Sequence, residues 1–184
     1  MAIKNTSEEF GWLAKLFHWL MAILIIGMLC LGLYMTDLPL SFEKLKLYGW
    51  HKEFGTLVLF LVCLRLLWHV TNKIPVLPDS IPTIQKWAAH GAHYALYFFM
   101  FAMPITGWMM SSAAGLPVSF FGLFLLPNLV APDEQLRSIL VQVHSYLAYA
   151  LIATICAHTL AALKHHFIDK DNILRRMLPW STKR

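Results

Sequence analysis

The sequence predicts an all-α membrane protein, a bundle of four transmembrane helices with an apolar loop between the third and fourth, and three observations carry the prediction. First, 58% of the 184 residues are hydrophobic and only 14% are charged, with a mean hydropathy of +0.58, far from the balance of a water-soluble domain. Second, four apolar stretches each reach the roughly 20 residues that a helix needs to cross a hydrocarbon core of about 30 Å. Third, nine histidines sit in this apolar chain, several of them inside those stretches. The four stretches use most of the chain, so a single transmembrane domain over residues 1–184 is expected, with no separate soluble domain.

The first helix is expected over about 12–35, ending before the turn at Asp37, Leu38 and Pro39. Glu8 and Glu9 precede it, its apolar run is long and no small-residue cleavage site follows, so it reads as a retained helix and not as a cleaved signal. A second helix is expected over about 48–70, followed by a loop punctuated by Pro75, Pro78 and Pro82. The third, about 84–112, contains Pro104 and Gly107, a kink that neighbouring helices tolerate in lipid. Residues 115–132 are apolar but broken by Pro117, Gly122 and Pro127, too interrupted to span, and are expected to lie at the interface as a cap over one end of the bundle. The fourth helix runs over about 134–167. Cys30, Cys63 and Cys156 fall within helices and pack as small hydrophobes.

The net charge of +5 does not point to nucleic acid, because the basic residues gather at helix ends and tails. With the N-terminus inside, eleven of them fall on the inner side, among them Lys15, Arg65, Lys164, Lys183 and Arg184, and four on the outer side: Lys44, Lys46, Lys52 and Arg137. That asymmetry predicts both termini in the cytoplasm and the loop after the third helix on the outer, periplasmic face.

An ionisable group within a membrane span is costly and is kept by default for function. His144 and His158 lie 14 residues apart on the fourth helix. At about 100° and 1.5 Å per residue, that sets them on nearly one face, roughly 21 Å apart along the axis. His18 matches the inner depth of His158, and His51 the outer depth of His144. Two imidazoles at each of two depths suit the axial ligation of two haems filling the apolar gaps between helices. Structural histidines bonded to neighbouring helices are the plain alternative. A zinc or copper site is another, although each depth offers few additional ligands. Arg65, in the inner part of the second helix, would suit a haem propionate, or would reach the interface on its long stem. His165 and His166, beside Lys164, and His93 on the third helix are candidates for a quinone headgroup. A basic patch against anionic lipid is the alternative for the first two, and a structural or solvated role for His93.

Taken in order, Phe17-His18-Trp19-Leu20, Trp50-His51-Lys52 with Gly55, Gly91-Ala92-His93 with Tyr97, His144 and His158, and the ending Lys164-His165-His166-Phe167 before Asp169-Lys170-Asp171-Asn172 resemble the bacterial cytochrome b561 family across almost the whole chain. The resemblance implies a bacterial inner-membrane cytochrome with two haem b groups held by His18, His51, His144 and His158, exchanging electrons with ubiquinone. It further implies, for some members, oxidation of periplasmic superoxide. Service to a periplasmic redox protein is the alternative activity.

Overall fold

The computed structural model describes residues 2–78 and 81–179, so Lys183 and Arg184 of the charge count lie outside the described residues. Four long helices dominate: α1 (Trp12–Asp37), α2 (Phe42–Thr71), α3 (Thr83–Ala113) and α4 (Glu134–Phe167). Three match the expected bounds closely. The second begins earlier, at Phe42 and not near Tyr48, because Ser41 accepts a hydrogen bond from the Lys44 amide and caps a polar first turn that hydropathy alone leaves out. Ser41→Ala is expected to lower stability by about 1 kcal/mol, measured as thermal unfolding in detergent, with Ser41→Asp retaining it.

Among the described residues α1, α2 and α4 are long and apolar enough to cross a membrane. The third helix is as long, 31 residues, and continuous through Pro104, but Gln85, Lys86, His90 and His93 in its first half dilute its apolar character. The packed pairs are chain neighbours: α1 with α2, α2 with α3, and α3 with α4. Few side chains are fully enclosed. Met21, Val62 and Met100, from three different helices, form a small core flanked by Ile25, Leu59, Tyr97 and Phe101. Met21 and Val62 are 0% exposed, whereas Ile23 is 71% and Leu160 65% exposed on the outside of the bundle. Helices that are apolar on their outward faces too are suited to lipid and not to water.

Two smaller elements were not anticipated. Ser119–Phe120 (β1) and Phe124–Leu125 (β2) pair antiparallel within the segment between α3 and α4. The turn places Phe121 at φ 50° and Gly122 at φ 73°, the left-handed pair that a tight hairpin requires, and Ser119 Oγ accepts from the Gly122 amide. Phe121 is an unusual residue in that region, and its ring packs edge-on against Phe54 of α2 at 5.3 Å. After α4, the chain turns at Lys170 into α5 (Ile173–Met177).

That last turn belongs to a knot of side-chain bonds to backbone carbonyls at the other end of the bundle. Lys15 Nζ donates to the Leu178 carbonyl at 3.1 Å and Trp19 Nε1 to the Met177 carbonyl at 2.8 Å. Arg176 donates to the Val76 carbonyl, and Asn5 to that of Lys73. The beginning of the chain, the α2–α3 connection and the tail are thus tied together over the start of α1, and Lys15 is left only 5% exposed.

Candidate functional site: paired imidazoles at two levels

The helix order brings histidines from separate helices together at two levels. At the first, His18 near the start of α1 faces His158 near the end of α4, with ring centroids 6.3 Å apart. At the second, His51 of α2 faces His144 of α4, also at 6.3 Å. Both pairs join helices outside the packed neighbours, so each bridges a gap in the bundle. Two imidazole nitrogens each about 2.0–2.1 Å from one metal ion, with each ring centre roughly another 1.1 Å behind, put the centroids roughly 6.3 Å apart. His93 lies nearer to His158, at 5.5 Å.

The surroundings of the rings differ between levels. At the His51–His144 level, the helices approach through glycine. A Cβ on Gly32 would lie 3.2 Å from His51 Cε1, and one on Gly107 3.3 Å from His144 Cε1. Thr106 Oγ1 lies 2.8 Å from the Ala102 carbonyl, 2.9 Å from that of Met103, and 3.0 Å from His144 Nδ1. Its single proton goes to a carbonyl, so the oxygen accepts from Nδ1–H. This fixes the tautomer of His144 and leaves Nε2 with its lone pair, the state a metal ligand needs. His51 Nδ1 is buried with no hydrogen-bond partner.

At the His18–His158 level the cluster is larger. Arg65 Nη2 lies 3.4 Å from His18 Nδ1, and its guanidinium sits over the Tyr97 ring at 5.8 Å. His69 packs on Tyr97, and Trp19 lies edge-on to His18 at 5.2 Å. His93 lies at this level too, its ring against that of His158 while the residue stays exposed, a placement that helical spacing alone left open. Thr106 and Gly32 escaped the sequence reading, and Gly107 was read only as part of a kink, because their use depends on which helix faces which.

The remaining sequence candidates are placed as follows. His165 Nδ1 lies 2.6 Å from Asp171 and 3.3 Å from Asp169, whose carboxylate also takes Lys164 at 2.6 Å. His165 is thus held by the turn after α4. His166 Nδ1 is buried and has no partner. Of the four outer cations, Lys44 caps the Thr36 and Leu38 carbonyls at the end of α1, Arg137 pairs with Glu134 at 2.6 Å, and Lys46 lies over Trp50. Lys52 donates to Ser111 Oγ at 3.3 Å. Of these four, Arg137 has a carboxylate partner, and the partners of the other three are neutral groups.

Long apolar helices enclosing paired interior imidazoles define a class of protein: membrane electron carriers that hold haem between helices. The comparisons with known proteins narrow the class. The chain belongs to the prokaryotic cytochrome b561 family, whose family model matches residues 9–180. It is 37% identical over 185 residues to "Cytochrome b561 homolog 2" of Escherichia coli (strain K12), covering 97% of this chain and 95% of that protein. It is 29% identical over 154 residues to "Cytochrome b561 homolog 1" of the same organism, covering 76% and 87%. It is also 31% identical over 164 residues to "Probable superoxide oxidase CybB" of Yersinia pestis, covering 88% and 91%. The chain is a membrane electron-transfer protein of the bacterial inner-membrane type, and the family implies b-type haem.

Proposed function

We propose that this chain is a dihaem cytochrome b that carries electrons across the inner membrane from a periplasmic donor to the ubiquinone pool. The observation that carries the reading is the equal 6.3 Å spacing of two histidine pairs at two levels of one bundle. In this reading His51 and His144 hold the outer haem b and His18 and His158 the inner one. All four long helices span the bilayer as one domain, α3 packing between α2 and α4 and presenting exposed Tyr94 and Phe98 on its outward face. Both termini lie in the cytoplasm, following the excess of lysine and arginine at that end.

The residues fit the group on several counts. His144 presents an unprotonated nitrogen, the rings stand apart by the width of a shared ion, and glycines bring α1 and α3 close to the outer rings. Haem bound at each level supplies a one-electron ferric/ferrous couple. The protein fixes the imidazoles, excludes water with Met21, Val62 and Met100, and holds Arg65 as a cation near the inner pair, where a haem carboxylate is a further partner. For the quinone, His166 and His93 are the better placed of the three candidates, since the Nδ1 of His165 is already engaged.

The donor in the leading form is superoxide. Two superoxide ions each give up one electron and leave as O2, and a quinone takes the two electrons and two protons to become quinol. A second reading, favoured by the hairpin tip, is docking of a periplasmic redox protein: Leu123, Phe124 and Leu125 are 76, 57 and 65% exposed. The purified chain in lipid nanodiscs, given superoxide and a ubiquinone analogue, is expected to form quinol catalytically. Reduction of the haems without quinol formation, together with fast reduction by a periplasmic protein fraction that Leu123→Asp abolishes, would replace the leading donor by the second.

A further inference from the structure

The two histidine levels carry neighbours of opposite electrical sense. At the outer level, Thr106 Oγ1 accepts the Nδ1–H of His144 and donates its own hydroxyl hydrogen to the carbonyl of Ala102 or Met103, so the ring faces a chain of acceptors. A hydrogen bond of this kind makes the imidazole a stronger electron donor through its other nitrogen. At the inner level, the ring of His18 faces a guanidinium at 3.4 Å. An arginine has donors only and keeps its charge, so it draws electron density from the ring whichever nitrogen holds the proton. It also adds a fixed positive charge beside the site.

From this contrast we infer that Thr106 and Arg65 are positioning residues that set a potential difference between the two levels, making the inner site the better electron acceptor, so that electrons run from the outer to the inner side. The inference rests on the dihaem reading above. A donor ligand strengthened by Thr106 favours the ferric state at the outer level. The Arg65 cation favours the less positive ferrous state at the inner level. One electron leaves one level and arrives at the other, with no bond made or broken.

The other charged and titratable neighbours do not reverse the contrast. Lys52, next to His51 in sequence, bonds the neutral Ser111 Oγ and so remains one cation at the outer level, against Arg65 and Lys15 at the inner, while Arg137 is neutralised by Glu134. At the inner level Lys15 adds a second buried cation one helical turn before His18, bound to a carbonyl and not to a carboxylate. Among the described residues, the acids nearest in sequence to His158, Asp169 and Asp171, are already paired with Lys164 and His165.

Potentiometric titration of the purified full chain tests this, with His158→Ala retaining only the outer haem and His51→Ala only the inner one, so that each couple is assigned. The inner couple is expected to be the more easily reduced. Arg65→Gln should lower the reduced-to-oxidised ratio of the inner haem about tenfold at fixed potential, which is about 59 mV for a one-electron couple. Arg65→Lys should keep most of the parent value. Thr106→Val should move the outer couple the other way, severalfold, and Thr106→Ser should restore it. An inner couple equal to or below the outer one would overturn the inference, as would substitutions that move both couples together or neither. If Arg65→Gln does not retain the inner haem, the order of the parent couples and the Thr106 series decide. A parent with two b haems but no such order sinks this inference alone; a parent without them sinks the dihaem reading with it.

Discussion

His51→Ala and His158→Ala are each expected to cost the purified protein one of two b haems, and the two losses should fall on spectrally distinct groups. The geometry makes the effects separable. Each histidine belongs to one pair, and about 21 Å of α4 separates His144 from His158 by helix rise. Each pair lies on a different gap of the bundle, between α2 and α4 at the outer level and between α1 and α4 at the inner. Removing one of the two imidazoles that would hold a haem at that level leaves a single ligand there, and occupancy at that level should fall at least tenfold while the other level stays loaded. The reading is taken as haem-to-protein ratio with reduced-minus-oxidised spectra. The inner level carries one complication of its own: His93 packs against His158 at 5.5 Å and is able to move in as a substitute ligand. The double variant His158→Ala, His93→Ala should therefore lose whatever inner haem the single variant keeps. Loss of both haems from either single variant would contradict independent levels.

Gly107→Leu is expected to have nearly as large an effect, confined to the outer level. A Cβ at position 107 already meets His144 Cε1 at 3.3 Å, close enough that the ring must give by a few tenths of an ångström for alanine. Leucine adds three more carbons in the same direction, and neither the ring nor the α3 backbone, packed along α4, yields that far. The ring swings, its bond from Nδ1 to Thr106 breaks, and the outer haem is lost while the inner one remains. Gly107→Ala should retain the haem with weakened occupancy. Gly32→Leu should act likewise through His51, whose Cε1 lies 3.2 Å from a Cβ at position 32. The same single-haem spectra check both, and an unchanged outer haem in Gly107→Leu would show that the close approach is not needed.

The parts of this molecule that follow from helical rise and hydropathy were legible in the sequence. The bounds of α1, α3 and α4 follow from apolar runs and their breakers, and the pairing of His18 with His158 and of His51 with His144 follows from counting residues to equal depths. Properties that depend on rotation about a helix axis, or on which helices touch, were not. Thr106, Gly32 and Gly107 are ordinary membrane-helix residues until α3 and α1 are turned toward particular rings. Arg65 was read as a partner for a haem carboxylate or as reaching the interface, and the sequence did not show that its side chain lies against His18 and Tyr97. The start of α2 was missed because a side-chain cap, and not hydropathy, sets it. The hairpin at Ser119–Leu125 was hidden by its apolar composition, which reads the same in a loop lying on lipid.

The knot that ties Lys15 and Trp19 to the carbonyls of Leu178 and Met177 has a bearing on how the protein is made. The tail that supplies those carbonyls leaves the ribosome after all four long helices. The outer histidine pair is complete once the first part of α4 has entered the bundle, but the cover over the start of α1 closes only when translation has passed residue 178. The contacts that cover the His18 level are therefore among the last to form, after those around His51 and His144.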